Sequence, residues 1–197
     1  MRSAFDKLIS WTGLALAVVL LVAGGLLTWA NTFINDQVVD QLSMQNITMP
    51  EGDALASLPK DDANALEPYA GSPMDTGAEA KAYADHYILV HMNAASDGRT
   101  YQEVSGEYQA MTVAEKASPQ GQALAGLRET LFQGNTLRGL LLYGYAFATM
   151  GTIAGIAAIV SFAGAAFLLA LFILGLVHAR RAAKADVAVT TPSLATA

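Results

Sequence analysis

The sequence predicts an all-α membrane protein in which two transmembrane helices, both extended outward, flank a small helical extracytoplasmic domain. Residues 8–35 and 139–177 contain no Asp, Glu, Lys or Arg, and the residues between them are polar and acidic. A hydrocarbon core of about 30 Å needs about 20 apolar helical residues to cross it, so both segments are long enough. The composition agrees, since 53% of the residues are hydrophobic and only 14% are charged, against about 25% charged in typical soluble domains.

The distribution of charge predicts the orientation of the chain. Residues 31–137 carry fifteen acidic and five basic side chains. Basic residues also lie near the two ends of the chain, at Arg2, Lys7, Arg180, Arg181 and Lys184. The positive-inside rule therefore places both termini in the cytoplasm and the acidic stretch outside the cell membrane. An acidic surface repels nucleic acid, and the absence of Cys excludes disulfides and thiolate chemistry.

These patterns divide the chain into five predicted parts. They are a cytoplasmic N-terminus (1–7), a first transmembrane helix (8–30), an extracytoplasmic helical domain that includes the helix extensions (31–146), a second transmembrane helix (147–178) and a cytoplasmic tail (179–197). The tail is rich in Ala, Thr and Val and has little periodicity, which favours disorder.

The first apolar segment is predicted to be a retained signal anchor and not a cleaved signal peptide. Its apolar run is far longer than the core of about 7 to 15 residues in a typical signal peptide. Trp29 lies where the outer interfacial aromatic belt is expected. An apolar stripe continues beyond it at helical spacing, so the helix should run past the membrane and form a wall of the outer domain. The stripe consists of Phe33, Ile34, Val38 and Leu42.

The second apolar segment, with 39 uncharged residues, allows either one long helix or a hairpin of two spans. Two crossings of about 20 residues would leave nothing for the turn, and the middle of the segment has no Pro, Asn or Asp. One helix is therefore favoured. It would be about 58 Å long at 1.5 Å per residue, roughly twice the hydrocarbon thickness. Its first third should then project outward, with Tyr143 and Tyr145 at the outer interface.

Small residues predict how the two spans pack, since helices in lipid associate through close backbone approach. Gly151 and Gly155 form a small-xxx-small pair in the second span, and Gly24 and Gly25 lie at a comparable depth in the first. We expect these four glycines to face one another. A chance occurrence in a span rich in Gly and Ala, or a homodimer interface, stays open as the alternative.

Between the spans the sequence predicts short helices and turns, and no sheet. Residues 50–73 are rich in Pro, Asp, Ala and Gly and are expected to be irregular. A helix is predicted from about Thr76 to a C-cap at Gly98, with one apolar face at three- and four-residue spacing. That face consists of Ala80, Tyr83, Ala84, Tyr87, Ile88, His91 and Ala95.

Two further helix starts are marked in the sequence. Thr100 and Glu103 have the spacing of a T-x-x-E capping box. Ser118, followed by Pro119 at the first helical position, is predicted to open a helix that runs through about Gln133. The outer domain should thus be mostly helical, with a core that leans on the extensions of the membrane helices.

One stretch of the outer domain resembles a known group of proteins. The matching residues are Ala82, Tyr83, Ala84, His91, Gly98, Arg99, Thr100 and Tyr101. They are similar to the pattern A-Y-A-x6-H-x6-G-[KR]-T-Y of small actinobacterial membrane proteins with two spans, commonly labelled "aromatic ring-opening dioxygenase LigA". The resemblance covers most of the chain in layout and about twenty residues in this motif. It implies the two-span architecture, and the label implies a dioxygenase.

The labelled activity can be compared with the residues. Extradiol dioxygenases hold non-haem Fe(II) with two His and one carboxylate. The chain has three histidines, of which His178 lies at the far end of the second span. His86 and His91 are five residues apart, about 140° around an α-helix, whereas a chelating pair is spaced four apart. The sequence therefore favours a protein without catalytic, cofactor-binding or metal-binding residues.

His91 is the most specific residue of the motif. On the apolar face of a helix its ring is expected to pack in the core, with one nitrogen bonded to a backbone carbonyl or to the hydroxyl of Thr100 or Tyr101. A pH-responsive switch is the alternative, because imidazole titrates near neutrality. Tyr83, His91, Gly98, Thr100 and Tyr101 are thus expected to be structural residues. Solvated surface charges are expected at Asp85, His86, Arg99 and Arg128.

Three functions follow from this sequence. The preferred one is a non-catalytic accessory or scaffold protein of the bacterial cell envelope, in contact with membrane lipid and docked on a larger membrane complex or on a second copy of itself. The second is a membrane sensor or regulator with a ligand- or pH-responsive outer domain, which a chemically specific pocket would favour. The third is the labelled dioxygenase. No cofactor and no nucleic-acid partner are expected.

Overall fold

The computed structural model describes the backbone of residues 2–190 and the side chains of residues 7–181. Over this part of the chain every regular element is a helix, and an isolated antiparallel bridge joins Thr48 to Pro73. The all-α prediction is therefore confirmed. The chain forms two compact units, one made of Met1–Thr32 with Thr152–Ala197 and a central unit, Phe33–Gly151.

Eight α-helices are described. They are α1 (Arg2–Ser43), α2 (Asp53–Ala56), α3 (Lys60–Leu66), α4 (Gly77–Tyr83), α5 (Leu89–Ser96), α6 (Tyr101–Ala110), α7 (Val113–Ala117) and α8 (Pro119–Thr190). A short 3-10 helix, Glu67–Tyr69, follows α3, and a π turn, Ala84–Ile88, joins α4 to α5.

Helices α1 and α8 are long and apolar enough to cross a membrane. The candidate spans are Lys7–Ser43 and Pro119–Arg181. Their most apolar 18-residue windows have mean hydropathies of 2.2 and 2.6. Only 11% and 17% of these windows are buried, unlike the core helix of a soluble protein. Exposed apolar surface of this extent is typical of a chain that meets lipid or another protein.

Helix α8 settles the choice between one helix and a hairpin, because residues 139–177 lie within a single helix. The helix predicted to end near Gln133 does not end there. Gly134, Asn135 and Thr136 follow without a Pro, so nothing removes a backbone donor or blocks the next turn. At the other end α8 continues to Thr190, where the sequence predicted a disordered tail from residue 179. Its several Ala residues favour helix, and residues 191–197 lie outside the described part.

In the first unit α1 and α8 pack antiparallel, but the four glycines do not meet as predicted. A Cβ added to Gly24 would touch the ring of Phe162, and one added to Gly155 would lie 3.0 Å from the amide of Asn31. Gly25 has no neighbour within 4 Å of such a Cβ. The prediction assumed equal depth in the membrane, whereas side-chain packing sets a different register. Gly24 and Gly155 do allow the two helices to approach closely, but each glycine contacts a large side chain and not another glycine.

In the central unit Gly151 allows α8 to approach α1 closely, since an added Cβ would lie 3.1 Å from Ile34.

Two hydrophobic clusters form the core of this unit. The first consists of Val38, Leu42, Met49, Leu66, Met74, Ala80, Ala82, Ala84 and Leu141. The second consists of Met92, Val104, Leu124 and Leu131. Helices α1 and α8 thus supply core residues, as the sequence predicts.

Residues 50–73 contain short helices where the sequence predicted an irregular segment. Leu66, at the end of α3, is fully buried in the first cluster, and this burial favours helical order over an exposed loop. The ends of the segment are tied together, since the Met49 N–H donates to the Ser72 carbonyl at 2.8 Å and the Met74 N–H donates to the Ile47 carbonyl at 2.9 Å.

Capping boxes begin three of the helices. In each, a Thr hydroxyl accepts from the N–H of a Glu three residues on, and the Glu side chain accepts from the Thr N–H. The pairs are Thr76 with Glu79, Thr100 with Glu103, and Thr112 with Glu115. The predicted box at Thr100 is therefore confirmed.

The π turn changes which residues face the core. It adds one residue to a helical turn, so the predicted apolar face continues into Met92 and Ser96, which are buried, and not into His91 and Ala95, which are exposed. The helix then ends one residue before the predicted cap, because Asp97 already has the left-handed conformation, with φ 55°.

Gly77, the first residue of α4, is a close contact with α8. An added Cβ would overlap the Cβ of Ala148 and lie 3.1 Å from the Cα of Tyr145, neither of which can rotate away. We predict that Gly77→Ala lowers the free energy of unfolding of the central unit by about 1–3 kcal/mol. Near-UV circular dichroism of Tyr in a mild detergent measures this, since all seven Tyr lie in the central unit and both Trp in the other.

Gly106→Ala is the matched control. Gly106 lies inside α6, and a Cβ there meets nothing within 4 Å. This substitution should stabilise the unit by about 0.5–1 kcal/mol, since Ala favours helix over Gly. Equal effects of the two substitutions would show that α4 does not pack on α8 through Gly77.

Candidate functional site

The central unit contains an apolar cavity of about 630 Å³ between α1 and α8, which we call the α1–α8 groove. It is lined by Phe33, Ile34, Gln37, Val38, Gln41, Leu42, Gln45, Ile47, Tyr83, Ile88, Leu137, Leu140, Leu141, Gly144 and Phe147. Its volume falls in the range of about 300–1,000 Å³ that is usual for small-molecule sites.

Helix α1 gives the groove two parallel rows of side chains. One row, Ile34, Val38 and Leu42, repeats every four residues and turns its last two members into the core. The other row repeats at the same spacing and is exposed, so it forms a polar rim. That row consists of Gln37, Gln41 and Gln45. Eight residues of helix extend about 12 Å, so the groove is elongated along α1.

Helix α8 forms the opposite wall. Leu141 is buried there, while Leu137 and Phe147 are half-exposed. Gly144 leaves a gap in this wall. A Cβ at Gly144 would lie 3.6 Å from Cδ2 of Leu42, an ordinary van der Waals distance, so a larger side chain would extend into the groove without first displacing the backbone.

Tyr83, just before the π turn, and Ile88, its last residue, also line the groove. The Tyr83 ring stacks on Tyr87 with centroids 4.8 Å apart, and Tyr87 in turn lies 4.4 Å from the ring of His91. Burial raises the pKa of Tyr83, and the neighbouring Tyr87 adds to that increase. The phenol is therefore neutral at physiological pH and can donate or accept a hydrogen bond.

Arg138 on α8 fixes the π turn. Its Nε donates to the Ala84 carbonyl at 3.0 Å, and its Nη2 donates to Asp85 Oδ1 at 2.9 Å. The Ala84 carbonyl also accepts from the N–H of Leu89, five residues on, so Arg138 adds a second donor to it. Asp85 also forms an ion pair with Lys81, one turn earlier on α4. The sequence predicted a solvated Asp85, but its side chain is only 22% exposed.

This environment shifts the titration of Asp85. Burial by itself raises the pKa of its carboxyl, but the hydrogen bonds from Lys81 and Arg138, together with their positive charges, outweigh burial and hold the pKa below its usual value. The ion pairs are therefore present at neutral pH. Asp85 belongs to the support of the groove and not to its lining.

The other predicted surface charges also have partners. His86 Nδ1 lies 2.8 Å from Asp62 Oδ1, and Arg99 Nη1 donates to Glu107 at 3.0 Å. The Arg128 guanidinium lies over the ring of Tyr108, 5.2 Å from the ring centroid. The surface position predicted for Arg99 is right. Its side chain is 43% exposed, and that of its partner Glu107 is 54% exposed.

The structure separates the motif residues. Tyr83 lies in the groove, whereas His91 is exposed, with Nδ1 2.7 Å from the Tyr87 carbonyl. The predicted carbonyl contact of His91 is right and its predicted burial is wrong, because the π turn rotates it outward. Gly98 has a positive φ of 74° after α5, Thr100 caps α6, and the Tyr101 ring lies 5.9 Å from Phe132.

The lining of the groove is electrically neutral. None of the described side chains that line it is charged, and it offers four neutral polar groups, those of Tyr83 and the three Gln. In residues 7–181 no group of three or more His, Asp or Glu is placed to hold a metal ion. The sequence does not predict the groove, since the Gln spacing of four residues next to an apolar row marks only its α1 wall.

Comparison of this chain with protein-family models, with curated proteins and with solved structures gave no match. The resemblance to the two-span actinobacterial proteins therefore stays a prediction.

We predict that the central unit loses stability in acid partly through Asp85. Its folded pKa is lowered, so its contribution is complete above the unfolded pKa of about 3.9 and is lost as the pH falls through the folded pKa. Asp85→Asn should cost about 1–3 kcal/mol at neutral pH and show a smaller loss below about pH 4. Tyr circular dichroism between pH 3 and 7 measures both.

Glu107→Gln is the control for that experiment, since it removes a carboxylate from the exposed pair with Arg99. An exposed pair contributes about 0–1 kcal/mol, so this variant should follow the unmodified protein closely. If Asp85→Asn followed it equally closely at neutral pH, Asp85 would not support the π turn.

Proposed function

We propose that this protein is a non-catalytic integral membrane protein of the cell envelope that binds an uncharged, mostly apolar ligand in the α1–α8 groove. The observation that carries the proposal is the groove itself, a cavity of about 630 Å³ with apolar walls and a neutral polar rim. A large apolar pocket with a few convergent polar groups is the usual form of a ligand site.

The proposed topology has α1 and α8 crossing the membrane and the central unit outside it. Its support is the length and hydropathy of the two candidate spans, together with the basic residues at both ends of the chain.

A scaffold role, which the sequence favoured, becomes the second candidate. It draws support from apolar side chains outside the groove, of which Val113 is 87% exposed and Phe132 is 53% exposed. The groove instead favours the ligand-responsive protein that the sequence placed second. The two roles are compatible, because α8 supplies both Phe132 and one wall of the groove.

We predict that Ala94→Cys is labelled by a membrane-impermeant maleimide in intact cells and that Ala185→Cys is labelled only after permeabilisation. The chain has no natural Cys, so each variant carries a single reactive thiol, and Ala94 is exposed in the structure. Labelling of Ala185→Cys in intact cells would contradict the proposed orientation. Failure to label Ala94→Cys without permeabilisation would do the same.

We also predict that the purified full chain carries a bound non-covalent molecule, visible as a mass adduct by native mass spectrometry from a mild detergent. Gly144→Leu should remove most of the adduct, because its side chain extends into the groove from the α8 wall. The loss corresponds to about a tenfold weaker affinity, the equivalent of about 1.4 kcal/mol.

Gly126→Leu is the matched control, with the same change on the same helix. Gly126 is exposed, meets nothing within 4 Å and does not line the groove. The adduct should survive in this variant. Its absence from the unmodified chain, or its equal retention in both variants, would contradict ligand binding in the groove.

A further inference from the structure

We infer that the ligand is one acyl chain of a membrane phospholipid, which lies along the α1–α8 groove while its headgroup stays outside. This rests on the proposed function, since it names the occupant of the same groove. Three features of the groove select this ligand: its lack of charge, its elongated shape and its place along the sequence.

Charge excludes a ligand that would bury an ionised group in the groove. A carboxylate needs a cation or several donors when it enters an apolar site. The described lining residues include no Lys or Arg, and the bases on the adjoining helices, Lys81 and Arg138, are already bonded to Asp85. A phospholipid chain brings no charge into the groove.

The shape of the groove fits a chain and not a compact ligand. The apolar row of α1 from Ile34 to Leu42 extends about 12 Å, and Leu137 to Phe147 follow it on the other wall. Each methylene group gains a small amount of free energy when it is buried, so a chain along both walls binds through many small contributions. The ester carbonyls of a phospholipid only accept hydrogen bonds, and the Gln37 amide is a donor that can match them.

Along the chain, the groove residues adjoin the predicted transmembrane segments, residues 8–30 and 147–178. Phe33 and Phe147 line one end of it, and the apolar segments continue from them along α1 and α8. A lipid of the outer leaflet is the apolar molecule present at highest concentration beside such residues. Because the central unit is acidic, a zwitterionic headgroup is favoured over an anionic one.

The test uses the full chain in vesicles of phosphatidylcholine that contain a small fraction of the same lipid with a diazirine in the middle of one acyl chain. After irradiation, peptide mass spectrometry locates the adducts. We expect adducts on Leu42, Tyr83 or Leu141, in addition to span adducts on the predicted transmembrane segments, residues 8–30 and 147–178. Gly144→Leu should lower the groove adducts about tenfold relative to the span adducts, and Gly126→Leu should leave that ratio unchanged.

The outcomes separate the two proposals. Span adducts without groove adducts, together with a native mass adduct that is not a phospholipid, would overturn the lipid and leave the ligand-binding function standing. The absence of both kinds of adduct from the groove would overturn both. A dimer that Gly144→Leu dissociates and Gly126→Leu does not would assign the groove to a second copy of the chain. Equal groove labelling in both variants would show only random contact with lipid.

Discussion

The contact of Arg138 with the π turn is the interaction on which the arrangement of the central unit depends. One guanidinium binds both the Ala84 carbonyl and the Asp85 carboxylate, and so joins α8 to the junction of α4 and α5. This position sets where Tyr83 and Ile88 stand relative to the walls of the groove. A π turn is rarely stable on propensity alone. Here a charged partner from a helix distant in sequence stabilises it, and the groove follows from that choice.

The second constraint is that two helices serve more than one purpose. Helices α1 and α8 each contribute residues to both compact units, and they carry the candidate spans as well as the walls of the groove. Glycine allows this in different ways along α8: Gly155 admits the side chain of Asn31, while Gly144 leaves space. A helix that must pack closely in one turn and leave a cavity in another needs such changes of side-chain size.

Local patterns were readable from the sequence, and features set by distant contacts were not. The capping box at Thr100, the long apolar helices and the burial of Val38 and Leu42 follow from residues close together in the chain. The exposure of His91 depends on the extra residue in the π turn, which Arg138 stabilises from another helix. The neighbours of Gly24 depend on the register of α1 against α8, which hydropathy does not contain. The groove depends on the same register, since both helices line it, and the sequence therefore does not predict it.

The closure of the segment between Ile47 and Met74 has its own consequence. Three backbone hydrogen bonds and two fully buried methionines, Met49 and Met74, join the points where this segment leaves and rejoins the body of the unit. The chain path into α4 is therefore fixed locally at these two points. Related chains can then differ in length between α2 and α3, at exposed Ser57, while the geometry at the entrance to α4 is preserved.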